Sequence, residues 1–358
     1  MRINRLRAML KEKNIDLALI FSINETPDTN LYYFTNYLGI GVLAVLQDKS
    51  FLLVPEMEYE KALVATKGLR LKVFKTEKKK KLLETLSLHL KIPEIKKIGI
   101  DEEICSVHLF KKLKKAFKAK YVDVGGVSSQ IRMIKEDNEI IDIKRACEVT
   151  DIIFKKIYTR FTFKTESEVK EFIKEEFSKY NCEMAFPPIV ASGINSCQPH
   201  YVGNEKIKRG FLLLDFGAKY KSYCSDMTRM LYVGIPNKKE LKDYALVLNT
   251  LSACEEAVEK TKKYSSLFNL SLKNLDTKSK FFTHSLGHGI GLDVHEMPSL
   301  NLEDKTIIQN NIPFTIEPGI YFPKRYGIRI EDTMVLINNK LQVLTRSKKE
   351  FVIIHKLY

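Results

Sequence analysis

The sequence predicts a protein of two domains, an α/β domain at the N-terminus and a strand-rich domain that opens with a long helix. The chain has 358 residues, which exceeds the ~100–200 residues of one ordinary domain. Helical and strand-like patterns alternate over residues 1–125, whereas ten of the sixteen glycines lie from residue 193 onward, where tight turns are expected. Paired glycines at 125 and 126 mark the expected boundary, so we predict domains over residues 1–125 and 126–358.

The first domain is predicted from the periodicity of its apolar residues. Helices are expected at residues 2–13, 58–66, 78–90 and 111–120, and strands at 17–21, 41–46, 50–54, 72–74 and 97–100. In the last helix Leu113, Ala116 and Phe117 recur at three- and four-residue spacing, and lysines fill the other face. A loop with proline and asparagine is expected at residues 24–30. This alternation is typical of a sheet layered with helices.

The second domain is predicted to open with a helix, because Ile134, Ile141, Ala146 and Ile152 recur at helical spacing. Further helices are expected at residues 166–180 and 239–264. The rest of the chain, from residue 184 to residue 354, carries strand patterns separated by turns that contain glycine. We therefore expect a mixed domain in which strands dominate.

The composition excludes several classes of protein. Hydrophobic residues make up 44% of the chain and charged residues 29%, which is typical of a globular protein and not of a disordered one. The six cysteines are widely separated and form no CxxC pair, so we expect free thiols in the cytoplasm rather than a disulfide framework. No uncharged stretch approaches the ~18–20 residues of a membrane span, so no membrane partner is expected.

The net charge of +15 is the one unusual feature of the composition. It raises the hypothesis of an anionic partner such as nucleic acid. Residues 1–125 carry +9 of this excess, much of it in the lysines of residues 78–81 and 111–120. Because no aromatic or arginine readout residues are interleaved with the lysines of 111–120, we interpret them as a solvated surface and expect no nucleic-acid partner.

Candidate metal ligands occur in three short strings. The first is LLLDFGAKYKSYCSDMTR at residues 212–229, where an apolar strand ends at Asp215 and a second strand is expected to carry Asp226. A hairpin would make these two carboxylates face each other. Facing carboxylates repel unless a cation lies between them, so the string indicates a cation site.

The second string, HSLGHGIGLDVHE, contains His284, His288 and His295, and the third, TIEPGIYFPKRYGIRIED, contains Glu317 and Glu331 after apolar runs. Each motif alone is common in turns, so the argument depends on their combination within residues 215–331. One imidazole and four carboxylates are a hard, oxygen-rich ligand set. Such a set suffices for two divalent ions with an activated water between them.

On these strings the sequence resembles the pita-bread metallopeptidases, in the branch that contains Xaa-Pro dipeptidase (prolidase) and aminopeptidase P. The segments NLYYFTNY (30–37) and LLVPEMEYEKA (52–62) resemble the creatinase-like N-terminal domain of that branch. The segments IRMIKEDNEIIDIKRACEVTD (131–151) and ASGINSCQPHYVG (191–203) resemble its catalytic domain. The resemblance implies an α+β pita-bread catalytic domain preceded by an α/β creatinase-like domain, in a homodimer.

The resemblance also implies a role for each site residue. The metal ligands would be Asp215, Asp226, His288, Glu317 and Glu331, with Asp226 and Glu331 bridging two ions. Mn2+ or Co2+ is expected first, with Zn2+ or Fe2+ as alternatives. His200 and His295 would flank the substrate and polarise the scissile carbonyl, and Glu317 would shuttle a proton. Arg329 would orient the ligands, and His284 would either support the structure or contact the substrate.

The expected activity is hydrolysis of the Xaa-Pro bond of dipeptides or short peptides by a metal-bridging hydroxide. Dipeptidase and aminopeptidase action both stay open, because Ser299 stands where several dipeptidases carry an arginine suited to a free carboxylate. A methionine aminopeptidase is an alternative, although that enzyme usually lacks the first domain. A non-catalytic binding protein is another alternative. Creatinase resembles the same architecture but lacks the metal ligands. The five candidate ligands retained in this sequence argue against both.

Overall fold

The computed structural model describes residues 2–23, 28–77, 80–90, 94–350 and 352–355. Residue contacts divide the chain into two compact units, Met1–Arg132 and Met133–Tyr358. The boundary expected at residues 125 and 126 falls at the start of a helix, Gly125–Met133, and stays a prediction. In the described ranges, no helix combines the length and the apolar character that crossing a bilayer requires.

The N-terminal unit is built on a six-stranded mixed sheet. Its strands are β1 (Leu17–Ser22), β2 (Gly41–Leu46), β3 (Ser50–Val54), β4 (Lys72–Lys75), β5 (Lys97–Ile100) and β6 (Lys120–Asp123). Its helices are α1 (Arg2–Glu12), α2 (Thr29–Thr35), α3 (Tyr59–Ala65), α4 (Leu82–His89), α5 (Val107–Ala116) and α6 (Gly125–Met133). The strand order is β4-β3-β2-β1-β5-β6, and the central strand β1 is buried along its whole length.

Helix capping explains the main differences from the predicted elements of this unit. The first two residues of helix α2 were expected as loop, but Asp28 accepts a hydrogen bond from the backbone N–H of Leu31 at 2.7 Å and caps the helix. The helix expected at residues 111–120 begins earlier, because the Ser106 hydroxyl accepts from the N–H of Leu109. Residues 24–27 of the expected loop and residues 78 and 79 of the helix expected at 78–90 lie outside the described residues.

The second unit contains four longer helices and several small sheets. The helices are α7 (Asp137–Thr159), α8 (Glu166–Lys179), α9 (Lys238–Ala257) and α10 (Tyr264–Leu275). The strands are β7 (Glu183–Met184), β8 (Ile189–Ser192), β9 (Gly210–Asp215), β10 (Ala218–Tyr220), β11 (Tyr223–Cys224), β12 (Thr228–Val233), β13 (His288–Gly289), β14 (Glu296–Ser299), β15 (Pro313–Ile316), β16 (Gly319–Phe322), β17 (Tyr326–Arg329), β18 (Asp332–Ile337), β19 (Lys340–Val343) and β20 (Val352–Ile354). The helix expected at residues 239–264 was wrong at its end, since Thr261 is extended and α10 follows it.

Two sheets of this unit carry the site. One has the strand order β20-β12-β9-β8, and the other has the order β14-β13-β15-β18-β19. Strand β9 is buried on both faces. Phe211 and Leu213 pack in one apolar cluster with α9 and α10, whereas Leu212 and Leu214 pack in another with α7 and α8. This two-residue alternation anchors β9 firmly, and Asp215 is its last residue.

Candidate metal centre

The first two candidate ligands lie where β9 and β12 come together. Asp215 ends β9 and pairs in register with Thr228, the first residue of β12. Asp226 lies two residues before Thr228, in the connection that follows β11, so its expected place within a strand was wrong. The antiparallel pairing nevertheless brings both carboxylates to the same end of the two strands, as the hairpin prediction required.

The two glutamates come together through a second pair of strands. Glu317 directly follows β15 and Glu331 directly precedes β18, and the last register pair of these strands is Ile316 with Asp332. Glu317 and Glu331 are therefore opposite each other at one end of the pair. His288 begins β13, which pairs with β15 along the edge of β15 that does not pair with β18.

The ligand atoms of Asp226, His288 and Glu331 lie within 4.8 Å of one another, and all three residues are buried. The His288 Nε2 atom lies 3.6 Å from Asp226 Oδ2 and 3.5 Å from Glu317 Oε1. Asp215 joins the cluster through Arg329, whose Nη2 donates to Asp215 Oδ2 at 2.6 Å. The structure thus brings all five candidate ligands into one region.

Unpaired oxygen atoms indicate that this region fits a cation. Asp215 Oδ1, Asp226 Oδ1 and Glu331 Oε1 are buried and have no hydrogen-bond partner among the described residues. Buried carboxylate oxygens are normally paired, because leaving them bare costs solvation free energy. Three such atoms in a single cluster are the donor set expected for a divalent metal ion.

The orientation of His288 supports the same conclusion. Its Nδ1 lies 3.1 Å from the carbonyl oxygen of Gly289, which can only accept, so Nδ1 carries the proton. The lone pair of Nε2 then faces the carboxylate oxygens of Asp226 and Glu317. Lone pairs that face each other are unfavourable unless a cation lies between them, and an imidazole held in this way is typical of a metal ligand.

Burial and mutual repulsion shift the pKa values of the cluster strongly. Desolvation, followed by the charge of Glu331, raises the pKa of Asp226 well above its usual value. Desolvation, followed by the charge of Glu317, does the same to the pKa of Glu331. Desolvation also raises the pKa of Glu317 to about 7 and lowers the pKa of His288 to about 4. Without a cation, the cluster therefore favours protonated carboxyls and a neutral imidazole.

Comparison with known families agrees with this geometry. Residues 142–338 match metallopeptidase family M24, and residues 2–134 match the creatinase/prolidase N-terminal domain. This chain belongs to metallopeptidase family M24. It is a metal-dependent peptidase, and the predicted fold class, an α+β pita-bread catalytic domain preceded by an α/β creatinase-like domain, is confirmed.

Relatives of this M24 peptidase match it over nearly its whole length. It is 35% identical to an Xaa-Pro dipeptidase of Pyrococcus furiosus, over 98% of the chain and 99% of the relative. The prolidase structure of Pyrococcus horikoshii OT3 superposes with a TM-score of 0.89 at 31% identity, covering 98% of this chain and 99% of that one. An X-Pro aminopeptidase of Thermotoga maritima MSB8 superposes with a TM-score of 0.86 at 28% identity, covering 99% and 100%.

In this M24 peptidase, Arg329 holds two candidate ligands in place. Besides its bond to Asp215, its Nη1 donates to Tyr321 Oη at 2.8 Å and its Nε donates to Thr228 Oγ1 at 2.9 Å. The Thr228 hydroxyl donates in turn to Glu331 Oε2 at 2.8 Å. Each carboxylate thus has one oxygen held by the protein and one left bare. This arrangement agrees with the orienting role expected for Arg329.

Tyr321 and Thr228 were missed by the sequence reasoning. Tyr321 lies on β16, which pairs with β17 so that Gly319 faces Arg329. Tyr321 and Arg329 are therefore diagonal neighbours on one face of this hairpin. Their even separation within GIYFPKRYGIR was a signal that could have identified Tyr321, and the two-residue spacing of Thr228 from Asp226 was another.

His284 is linked to Arg329 through Tyr321. The His284 Nδ1 atom lies 2.8 Å from the carbonyl oxygen of Ser285, so this nitrogen donates, and Nε2 accepts from Tyr321 Oη at 2.9 Å. Desolvation and the positive charge of Arg329 lower the pKa of His284 to about 3, so the ring is neutral. Both ring nitrogens are bonded to the protein, although a substrate-side role for His284 stays a prediction.

The remaining two candidate histidines are exposed, unlike the ligands. The His295 ring lies perpendicular to the His288 ring, with 4.3 Å between the ring centroids. His200 follows the turn Gly193–Cys197. Burial raises the pKa of Asp215, and the electrostatic effects of Arg329 and, to a smaller extent, of His200 partly offset this rise. The His295 ring therefore lies beside a buried candidate ligand, and both rings are open to solvent.

Proposed function

We propose that this peptidase hydrolyses the Xaa-Pro bond of dipeptides or short peptides. Two divalent ions are held by five ligands, Asp215, Asp226, His288, Glu317 and Glu331. The observation that carries the proposal is the buried cluster of Asp226, His288 and Glu331, whose ligand atoms lie within 4.8 Å of one another, together with the bare carboxylate oxygens of Asp215, Asp226 and Glu331. The relatives named Xaa-Pro dipeptidase, prolidase and X-Pro aminopeptidase support the choice of substrate.

Charge balance favours two ions over one. When all four carboxylates are ionised, the single guanidinium of Arg329 leaves three negative charges in a buried cluster. One divalent ion offsets two of these charges, and a second ion offsets the remainder. Mn2+ or Co2+ is proposed first because the donors are mostly carboxylate oxygens, with Zn2+ and Fe2+ as alternatives.

The metal ions, when bound, would lower the pKa of a water molecule from about 16 toward about 7 and so supply a nucleophile at neutral pH. The chain itself contributes a proton carrier. In the metal-free protein, burial raises the pKa of Glu317 to about 7. With metal bound, its carboxylate is proposed to accept a proton from that water and later to release it to the leaving nitrogen. Its Oε2 lies 3.9 Å from Arg329 Nε, whose positive charge attracts it, and 3.8 Å from Nδ1 of the neutral His284 ring.

His200 and His295 are proposed to polarise the scissile carbonyl. Both are exposed, and the ring of His295 lies against that of His288, so a substrate can reach their ring N–H groups. A well-placed donor to a developing oxyanion contributes about 3–4 kcal/mol to catalysis. The proline nitrogen of the scissile bond carries no N–H, so recognition depends on the shape of the pocket and not on backbone pairing.

Dipeptides and longer peptides both remain in the proposal. Ser299, where several dipeptidases carry an arginine, is exposed and its hydroxyl accepts from Asn301 Nδ2 at 3.0 Å. A free carboxylate would therefore find no guanidinium at this position, which favours aminopeptidase action on peptides that extend beyond proline.

The proposal is tested by metal reconstitution. The protein is stripped with a chelator, reloaded with Mn2+ or Co2+, and assayed on an Xaa-Pro dipeptide, an Xaa-Pro-Yaa tripeptide and an Xaa-Ala dipeptide as control. We expect metal-dependent cleavage of at least one proline peptide and weaker cleavage of the control. Two metal ions per chain at full activity would support the dinuclear site, and the absence of cleavage of either proline peptide would overturn the proposal.

A methionine aminopeptidase is the weaker alternative. The match of residues 2–134 to the creatinase/prolidase N-terminal domain favours the Xaa-Pro branch over it. The same assay with a Met-Ala-Ser peptide separates the two activities. A non-catalytic binding protein is disfavoured by the complete set of five candidate ligands.

We further propose that the protein is a cytoplasmic homodimer that binds neither membranes nor nucleic acid. The six free cysteines are consistent with a reducing cytoplasm, and the mass of the protein in solution tests the dimer.

A further inference from the structure

A buried ion pair lies beside the loop that carries His295. Lys135 Nζ lies 2.8 Å from Glu296 Oε2, and the two side chains are only 2% and 6% exposed. Lys135 Nζ also donates to the carbonyl oxygen of Met133 at 3.3 Å. Glu296 Oε1 accepts from the backbone N–H of Asp293 at 3.1 Å. Both carboxylate oxygens of Glu296 are therefore held: Oε2 by Lys135, which is distant in sequence, and Oε1 by the backbone of the loop that contains Glu296.

The backbone at Gly291 is packed directly against this pair. A side-chain Cβ at Gly291 would lie 2.7 and 2.8 Å from the two Glu296 carboxylate oxygens and 2.8 Å from Lys135 Cε. Gly291 is itself fixed, because its carbonyl oxygen accepts from the N–H of Cys224 at 2.7 Å. The ion pair and the loop thus fit together only with glycine at position 291.

The pair restrains His295 through the chain on either side of it. Glu296 pairs in register with Gly289, the residue after His288, so the loop between them is closed at its base. The N–H of Asp293 is tied to the Glu296 carboxylate. His295 lies between these two attachments, and its ring is perpendicular to that of His288. The exposed ring of His295 is therefore oriented mainly by its backbone.

We propose that the Lys135–Glu296 pair is a positioning device that sets the orientation of His295 for the hydrolysis proposed above, on which this inference rests. A buried ion pair adds little net stability, because desolvation offsets most of its attraction. Its directional bonds nevertheless define one geometry for the groups attached to them. Lys135 and Glu296 are positioning residues, since they act on the substrate through His295.

The test combines a neutral pair with a double-mutant cycle. The variant Lys135→Met with Glu296→Gln removes both charges while keeping similar volumes. Because neither charge is left uncompensated, this variant is expected to fold and to bind metal as the wild type does. We expect kcat to fall at least tenfold with little change in KM, because displacement of a catalytic group by about 1 Å is sufficient for such a loss. Adding His295→Ala to the pair is expected to cost little more.

A matched control uses another ion pair of the same unit. Lys156 Nζ lies 2.5 Å from Glu176 Oε2, where α7 meets α8. The variant Lys156→Met with Glu176→Gln should leave kcat unchanged, both in the otherwise wild-type protein and when it is combined with His295→Ala. The proposal would be overturned if kcat were unchanged in the Lys135–Glu296 variant. It would also be overturned if combining this variant with His295→Ala lowered kcat by the full product of the two separate losses.

A second readout does not depend on activity. The imidazole resonances of His295, identified by their loss in His295→Ala, should shift or broaden in the Lys135–Glu296 variant and not in the Lys156–Glu176 variant. Unchanged resonances would overturn the positioning role. If the metal-loaded wild type cleaves neither proline peptide, the proposed function fails, whereas these resonances still decide whether the ion pair orients His295.

Discussion

Arg329 Nη2 donates to Asp215 Oδ2 at 2.6 Å, with both side chains almost fully buried. The bond neutralises one carboxylate charge and leaves Asp215 Oδ1 bare toward the cluster. A carboxylate held in this way presents a single, oriented oxygen to a cation, so less side-chain entropy is lost when an ion binds. The metal centre is therefore largely organised by the protein before any ion is present.

Asp226→Ala should abolish metal binding and activity while leaving the fold intact. Asp226 is one of the three residues whose ligand atoms lie within 4.8 Å of one another, so its loss removes one of the proposed metal-binding groups. The buried carboxyl of Asp226 is costly to ionise beside Glu331, so its removal should leave the metal-free variant as stable as the wild type. Metal content, kcat and thermal unfolding measure these effects. Glu303→Ala, which removes an exposed carboxylate, is the control, and undiminished turnover by Asp226→Ala would exclude Asp226 from the site.

Tyr321→Phe should lower kcat about tenfold with metal binding retained. The substitution removes the hydroxyl that joins Arg329 to His284 but leaves the bond from Arg329 to Asp215. A lost hydrogen bond to a charged group also costs about 1.5–3 kcal/mol of the free energy of unfolding. Tyr326→Phe is the matched control, since its hydroxyl donates to Asp243 Oδ2 at 2.7 Å. The control should lose similar stability but keep kcat; equal losses of kcat in both variants would contradict this role of Tyr321.

Metal removal should make stability depend on pH. The pKa of Glu317 is about 7 in the folded protein, well above its unfolded value, so the metal-free fold binds extra protons. Its stability should therefore be highest at acidic pH and fall as the pH rises from about 5 through 7. Metal ions replace those protons, so metal affinity should increase over the same range. A hundredfold excess of metal over its Kd adds about 2.7 kcal/mol of stability. Urea unfolding at pH 5, 6, 7 and 8, with and without metal, measures both trends, and a metal-free protein that gains stability with rising pH would contradict them.

Glu176→Gln should destabilise the second unit only above acidic pH. Burial opposes ionisation of Glu176, but the hydrogen bonds and charges of Lys156 and Lys179 outweigh it and lower its pKa. A lowered carboxyl pKa stabilises the fold above its unfolded value of about 4.3, and this stabilisation is lost as the pH falls through the folded value. We expect a loss of about 1 kcal/mol at pH 7, because both lysines are partly exposed. Urea unfolding should show the difference from wild type shrinking between pH 6 and pH 3.5; a difference that grows toward acid would be the contrary result.

Three of the candidate ligands could be predicted from local patterns because they lie at the ends of apolar strands. Asp215 is the last residue of β9, Glu317 directly follows β15 and Glu331 directly precedes β18, so strand pairing alone brings them to common ends. Helix boundaries were less predictable. The start of α2 and of α5 is set by single capping side chains, Asp28 and Ser106, which compete with neighbouring residues of similar propensity.

The sequence by itself determined the two domains and the candidate carboxylates at strand ends, because hydrophobic periodicity and strand-end carboxylates are local properties of the chain, and the family resemblance added the fold of the second domain and the choice of His288. Only the tertiary structure decided which oxygen of each carboxylate is bare, how Tyr321 joins Arg329 to His284, and that Lys135 meets Glu296 across 161 residues. These relationships depend on sheet register and on buried hydrogen bonds between distant segments. Neither is encoded in residue spacing, because the free energy that selects them arises when the packed core excludes water.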